Sequence, residues 1–344
     1  MKTDITMLII HQEVDETGSP DDLDVLVQVE QVRNALTLHG YSVQVLPVTL
    51  NLHRLADVIQ QTRPLLVFNL VESLDGKDRL LYLPPAILEA YHVPFTGSGS
   101  DPLYRTTGKL LAKEAMQMAG VDTPPWFTAP LRDQCDIIQG TYILKSAWDH
   151  ASLGLDDNSV ITIDGASTLP RVCSDPSGPD APEMYLETYI EGREFNISLL
   201  ETPHGVRVLP PAEICFSGYP ENKPRIVGYS AKWDTGSFEY TATSRSFCFT
   251  TEDSPLLGEL SRIACRCWQV FNLSGYARVD FRVDVQGVPW VLEVNANPCL
   301  AEDAGFMASA HEAGISQTEV IHTIVQSALN MKRNTYVQDT PCIR

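Results

Sequence analysis

The sequence predicts an α/β chain, with a parallel βαβ domain at the N-terminus and α+β parts after it. Three observations predict this. Strands and helices alternate through the first 71 residues, strand-like segments follow one another from about 141 to 216, and a charged hairpin occupies 276–298. In order, TMLII reads as a strand, HQEVDETGSPDD as a polar loop, and VLVQVEQVRNALTLHG as a helix ending at Gly40. YSVQVLPV, NLHRLADVIQQTR and PLLVFNLV then read as strand, helix and strand. A dinucleotide-type glycine fingerprint is missing from the first turn, which argues against a nicotinamide cofactor. Residues 98–120 read as a loop leading into a helix that stops at Gly120. TYILKS is a short strand followed by the polar loop AWDHASLG, and the Pro-, Ser- and Asp-rich 170–182 is a surface loop. Strands resume with EMYLETYI, EFNISLLE and VRVLPPAEICF. Helices are expected at about 255–272 and 315–331, and the last dozen residues read as a loose tail.

At 344 residues, with 44% hydrophobic and 20% charged content, the chain is long enough for two or three domains with real cores. Its net charge of −19 argues against nucleic acid or an anionic membrane as partner, so an anionic substrate needs a locally basic pocket. The opening MKTDITMLIIHQ is too short in its apolar run for a signal peptide, and no later segment reaches membrane-spanning length; a cytoplasmic protein is expected. The eight cysteines are scattered, and reduced thiols are the default.

The segment YARVDFRVDVQGVPWVLEVNANP carries a question of charge. Both halves have the period of a strand, and a two-residue turn at Gln286-Gly287 would set Asp280 opposite Glu293 and Arg278 opposite Asn295 on one face. Opposed carboxylates roughly 5 Å apart repel by roughly 3 kcal/mol at an effective dielectric of about 20. A shared proton, the flanking arginines or a divalent cation must offset that. A hard cation takes one or two carboxylates and an amide carbonyl such as that of Asn295, leaving positions for phosphate oxygens. From this segment alone, a solvated face of mixed charge fits equally well.

Lys145 leaves an apolar strand beside the small-residue loop and suits a phosphate, as it also suits a snorkelling surface lysine. Glu187 and Glu194 flank TYIEGR, where a carboxylate acceptor would suit paired ribose hydroxyls. Exposed glutamates in an acidic chain are otherwise ordinary. Lys232 sits in GYSAKWDTGSFEY, readable as a plain loop or as a flap that covers a transferring phosphate.

Taken in order, a lysine before a helix, a lysine at a strand end, Glu-x₆-Glu, a flap lysine, R-x-D and E-x-N-x-N-P resemble the ATP-grasp ligases. The closest likeness is to the D-alanine-D-alanine ligase family, from about Phe95 to about Ala328. The resemblance implies an ATP-grasp architecture in which a pre-ATP-grasp domain (1–104) precedes a central subdomain (105–190), a C-terminal subdomain with the metal site (191–331) and a tail (332–344). It implies ATP and Mg²⁺, as two ions with Mn²⁺ able to substitute. Lys109 and Lys145 would contact phosphates, Glu187 with the backbone at Tyr189 and Ile190 would bind adenine, and Glu194 the ribose. Lys232 would cover the γ-phosphate, Ser152 would sit in the loop closing over it, and Asp280, Glu293 and Asn295 would hold the metal. Arg278 matches the arginine that stabilises charge on the reacting carbonyl. The implied activity joins a small-molecule carboxylate to an amine through an acyl phosphate, releasing ADP and phosphate, in a possible homodimer.

The chain departs from that family where the amino acids bind. The Gly-Gly, Ser-x-Glu signature is replaced by HQEVDETGSPDDLDV, in which Asp21 is a partial stand-in. A Tyr beside the flap lysine is Trp233, a Ser of the phosphate loop is Ala151, and the Ser that holds the second carboxylate maps to Ala304 within NPCLAEDAGF. Asp21, Glu72, Trp233, Asp303 and Ala304 therefore stand as the expected substrate pocket, for a pair other than two D-alanines. An ATP-grasp kinase, a D-alanine-D-alanine ligase proper, and a nucleotide-binding regulator without turnover are the alternatives.

Overall fold

A computed structural model describes residues 6–15, 17–128, 139–164, 183–331 and 342–343; the loop expected at 170–182 and most of the expected tail lie outside them. The N-terminal sheet is parallel, in the order β2 (Ser42–Val48), β1 (Thr6–Gln12), β3 (Leu66–Asn69). β1 is buried along its length after Thr6, as the centre of a sheet covered on both faces must be. Helix α1 runs Pro20–Leu38, starting before the apolar run at Val25. Ser19 sets that start: its Oγ donates to Asp22 Oδ2 at 2.6 Å, and Pro20 opens the first turn. The apolar pattern marks the buried face (Val25, Val29, Val32, Ala35 and Leu36) and not the helix end. Helix α2 (Leu52–Thr62) covers the other side with α3 (Leu83–Ala90), which the sequence reading passed over.

Residues 98–120 differ from expectation. The stretch read as a loop is helix α4 (Ser100–Thr107), and α5 (Lys109–Met118) follows with a single break at Gly108. A Cβ at Gly108 would lie 3.0 Å from the Trp148 ring, so a residue without a side chain lets that ring pack against the break. The expected boundary at 104 thus falls inside α4.

A four-stranded antiparallel sheet follows, in the order β4 (Trp126–Thr128), β7 (Met184–Thr188), β5 (Gly140–Ser146), β6 (Val160–Ile163). The third sheet runs β11 (Thr243–Ser246), β10 (Ala212–Phe216), β8 (Gly192–Thr202), β12 (Tyr276–Asp284), β13 (Pro289–Asn295), with β9 (Gly205–Val208) on the far end of β8. VRVLPPAEICF is therefore two strands. Within the expected tail, β14 (Cys342–Ile343) pairs with β9 in parallel. Between β10 and β11 the flap forms two short helices, α6 (Tyr229–Trp233) and α7 (Phe238–Ala242), in place of a plain loop.

Helix α8 (Ser254–Val270) lays Leu260, Ala264, Cys267 and Trp268 against Phe195, Ile197, Val279 and Phe281 of the third sheet. Helices α9 (Gly305–Glu312) and α10 (Gln317–Met331) cover its other side, and Val320, Ile321, Ile324 and Val325 share one core with Val25, Val29 and Val32 of α1. The N-terminal domain and the third sheet are thereby cemented together, and the polar face of β12–β13 is held between them and the flap.

Candidate functional site

The hairpin register is as the sequence implies, by a different route. Arg278 pairs with Asn295 and Asp280 with Glu293, but beyond them Phe281 pairs with Val291. The turn is a three-residue loop closed by Asp284 N–H to Val288 O at 3.0 Å, with Gly287 at φ 84. That longer turn alone would set Asp280 against Leu292. A bulge on β13 takes up the one-residue difference and returns Asp280 to face Glu293.

Arg278 answers part of the charge question. Its Nε and a terminal nitrogen each donate to Asp280 at 2.7 Å, while Asn196 Nδ2 donates to Asp280 Oδ1 at 2.7 Å. Burial raises the Asp280 carboxyl pKa, and Arg278 opposes that rise. Burial would raise Glu293 as well, but the charges of Lys109, Lys232 and Arg278 outweigh it and hold Glu293 well below the usual carboxylate range. Asn295 Nδ2 donates to Asp280 Oδ2 at 3.1 Å and to Glu293 Oε1 at 3.2 Å, so a half-turn of that amide presents its carbonyl to the same point. Two carboxylates and an amide oxygen form the hard-oxygen set that suits Mg²⁺.

Facing this set are two lysines. Lys109, at the start of α5, donates to the Asp149 carbonyl. Lys232, in α6, has no hydrogen-bond or ion-pair partner among the described residues. Burial lowers both pKa values, and Glu293 opposes that for each. The flap that carries Lys232 is docked on the 150–155 loop. Tyr229 N–H donates to Leu155 O at 3.0 Å, Ser152 Oγ to Val227 O at 2.8 Å and Trp233 Nε1 to Ala151 O at 3.2 Å. Ala151 and Ser152 both adopt left-handed backbone, φ 57 and 60, a strain on the order of 1 kcal/mol each that the docked flap holds in place. Asp21 joins the closure, its Oδ1 accepting from Tyr229 OH at 2.8 Å.

Glu187 and Glu194 are placed differently from a free adenine or ribose ligand. Glu187 is fully buried between Lys113 at 2.6 Å and Lys145 at 2.5 Å, so each carboxylate oxygen already faces an ammonium. Glu194 pairs with Arg282 at 2.7 Å, and that guanidinium lies 5.8 Å from the Tyr189 ring centre. Tyr189 N–H is spent on Thr141 O at 2.9 Å, whereas Ile190 N–H has no partner among the described residues. Lys113, Asn196 and Arg245 were missed in the sequence. Lys113 lies on the face of α5 one turn after Lys109, which was the available signal. Arg245 donates to the Asp303 carbonyl at 2.8 Å, and a Cβ on Gly305 would lie 3.6 Å from Arg245 Nε and 3.8 Å from Arg278 Nη1. Two guanidiniums thus meet beside Ala304, the residue that caps α9 without a hydroxyl.

Glu72 belongs to an acidic corner with Asp21, Asp24 and Asp78. Gln28 Nε2 bridges Asp24 and Glu72 at 3.1 and 3.0 Å. Burial pushes Glu72 up to about 7, with Asp24, Asp78 and Asp21 adding to the rise against the Gln28 hydrogen bond. A carboxyl raised by folding stabilises the fold below its unfolded value and loses that contribution as pH rises through its folded value. Glu72 is therefore expected to contribute on the order of 2 kcal/mol more stability at pH 5 than at pH 8. Thermal denaturation of Glu72→Gln should show that part of the slope removed, and an unchanged slope would contradict the assignment.

Comparison with known proteins fits this geometry. Residues 177–326 match the family model described as D-ala D-ala ligase C-terminus. An uncharacterized protein of Sinorhizobium fredii is 29% identical over 265 residues, 76% of this chain and 74% of that protein. The D-alanine-D-alanine ligase of Methylococcus capsulatus is 26% identical over 76% of this chain and 78% of its own length. The crystal structure of D-alanine-D-alanine ligase from Bacillus anthracis complexed with ATP superposes with a TM-score of 0.70 at 19% identity, covering 96% of this chain and 100% of that one. Fold and matched sequence point the same way: the chain has the ATP-grasp fold, and over residues 177–326 it is similar to the C-terminal part of the D-alanine-D-alanine ligases.

Proposed function

We propose that this protein is an ATP-dependent carboxylate-amine ligase that works through an acyl phosphate on a pair other than two D-alanines. The observation that carries this reading is the hairpin face of Asp280, Glu293 and Asn295, with the unpartnered Lys232 and Lys109 set across from it. Mg²⁺ held by that face would neutralise phosphate charge. Lys109 and Lys232 supply the remaining cations to the phosphates, Lys145 stands behind them, and Ile190 N–H is free to meet the base. Glu187 acts by orienting Lys145 and Lys113, and Glu194 by fixing Arg282 under Tyr189. Of the expected boundaries, that at 190 falls between β7 and β8, whereas that at 104 falls inside α4.

The chemistry needs two steps. A carboxylate oxygen of one substrate attacks the γ-phosphorus, the bond to the β-phosphate oxygen breaks, and ADP leaves. An amine nitrogen then attacks the acyl carbon, phosphate departs with its bonding electrons, and the nitrogen loses a proton. Arg278 is built for the second step. Asp280 fixes its Nε and one terminal nitrogen, and Nη1 is left facing the start of α9, where an oxyanion on the acyl carbon is stabilised by a preorganised donor. The docked flap, with Ser152 and Trp233 in its closure, excludes water that would hydrolyse the acyl phosphate.

The other pair is indicated by what lines the pocket. Ala304, Ala151 and Trp233 lack hydroxyls to hold a carboxylate, and each charge-assisted hydrogen bond lost costs about 1–3 kcal/mol. Arg245 lies beside Ala304, and Asp303 turns its carbonyl to Arg245. Asp21 and Glu72 belong to the acidic corner. ADP release screened over pools of amino acids and small carboxylic acids, with mass spectrometry of products, tests this reading. D-alanine alone is expected to release phosphate on the order of a hundredfold more slowly than the true pair. Efficient D-alanyl-D-alanine synthesis overturns the specificity, and a phosphorylated hydroxyl product overturns the ligase.

A further inference from the structure

His150 is the one member of this constellation that neither the sequence motifs nor the roles above absorb. It opens the strained turn at Ala151 and Ser152, and its backbone N–H is anchored to Asp78 Oδ2 at 2.6 Å, across from the N-terminal domain. Its Nε2 is buried and has no hydrogen-bond partner among the described residues. The charges that act on the ring are those of Lys109, Glu293, Lys232 and Arg278, the groups gathered around the hairpin face. A buried ring nitrogen with no acceptor or donor inside the protein costs free energy unless a ligand completes it.

We propose that His150 is a catalytic residue whose Nε2–H, in the neutral ring, donates a hydrogen bond to a phosphoryl oxygen held between Lys109 and Lys232. The inference rests on the nucleotide reading above. Its physical reason is charge. Three cations already converge there, and a fourth would be repelled by them, whereas a neutral imidazole adds a donor without adding charge. Burial foremost, and then Lys109, push the ring down to about 4, so it is neutral wherever the protein is folded near neutral pH. The strained turn that follows fixes where the ring stands, and the docked flap closes over it.

The test compares His150→Ala with His150→Gln, whose amide restores a donor near the Nε2 position but cannot accept a proton from an amine. Binding of β,γ-imido-ATP with Mg²⁺ is measured by calorimetry, and the Nε2 of the ¹⁵N-labelled wild type is followed by NMR during the titration. His150→Ala is expected to bind the analogue about tenfold to a hundredfold more weakly, His150→Gln to stay within about fivefold of wild type, and the Nε2–H resonance to shift on binding. Wild-type affinity in the Ala variant overturns the proposal. So does a Gln variant as weak as Ala, which would assign the ring to proton transfer or to packing. A wild type that binds no analogue overturns the nucleotide reading and this inference together, an outcome distinct from the other two.

Discussion

Replacing Glu293 by Gln is expected to abolish ATP turnover, by at least about 10³-fold, while the fold survives. The size follows from the charges Glu293 serves. Its carboxylate is held ionised by Lys109, Lys232 and Arg278 against the pull of burial, so the neutral amide leaves those cations without their shared counter-charge. It also reduces the hard-oxygen set on the hairpin to one carboxylate. Removing one charged stabiliser of a developing charge costs on the order of 10²–10³ in rate, and here the metal contact is weakened too. Steady-state ADP release and calorimetric Mg²⁺-nucleotide binding would be measured on a variant whose melting temperature matches wild type. Undiminished turnover would remove the metal assignment.

Glu187→Gln is expected to act on stability instead. The substitution leaves Lys113, which is 1% exposed, with uncharged neighbours (the Thr123 hydroxyl at 2.7 Å, the Pro124 carbonyl at 3.2 Å and the Trp126 ring at 5.5 Å), and leaves Lys145 with no carboxylate. Breaking one side of a buried ion pair costs about 3–5 kcal/mol because an uncompensated charge remains. The exposed pair Arg262–Glu259, at 2.6 Å, is the control, and Glu259→Gln should cost under about 1 kcal/mol. Urea denaturation of both variants checks the contrast. Equal, small losses would show that the buried triad is not the strut between α5 and the four-stranded sheet described above.

How much of this was legible depends on what each signal encodes. The alternation of β1, α1, β2, α2 and β3 was plain, because period-2 and period-3.6 patterns report burial directly. The start of α1 was not, since Ser19 and Pro20 set it and the apolar run does not. Helix α4 was read as a loop because its buried face, Leu103, Thr106 and Thr107, is only partly apolar. The pairing of Asp280 with Glu293 was legible through two compensating differences, a longer turn and a bulge, that local sequence does not display. Site residues that lie on one hairpin, such as Arg278, Asp280, Glu293 and Asn295, could be read from spacing. Those that meet across 40 or more residues, such as Lys145 with Glu187 and Glu194 with Arg282, could not be paired without the sheet registers. His150 carried no signal, as its meaning lies in the cations that other elements bring to it.

The central claim is that a substrate carboxylate becomes an acyl phosphate before the amine attacks. Isotope transfer tests it most directly. With the pair identified by the product screen, a carboxylate labelled with ¹⁸O in both oxygens is turned over with ATP and Mg²⁺, and the released phosphate is analysed by mass spectrometry. The account expects one ¹⁸O atom in each phosphate released, because the attacking carboxylate oxygen leaves with phosphorus. Unlabelled phosphate accompanying amide formation would contradict it.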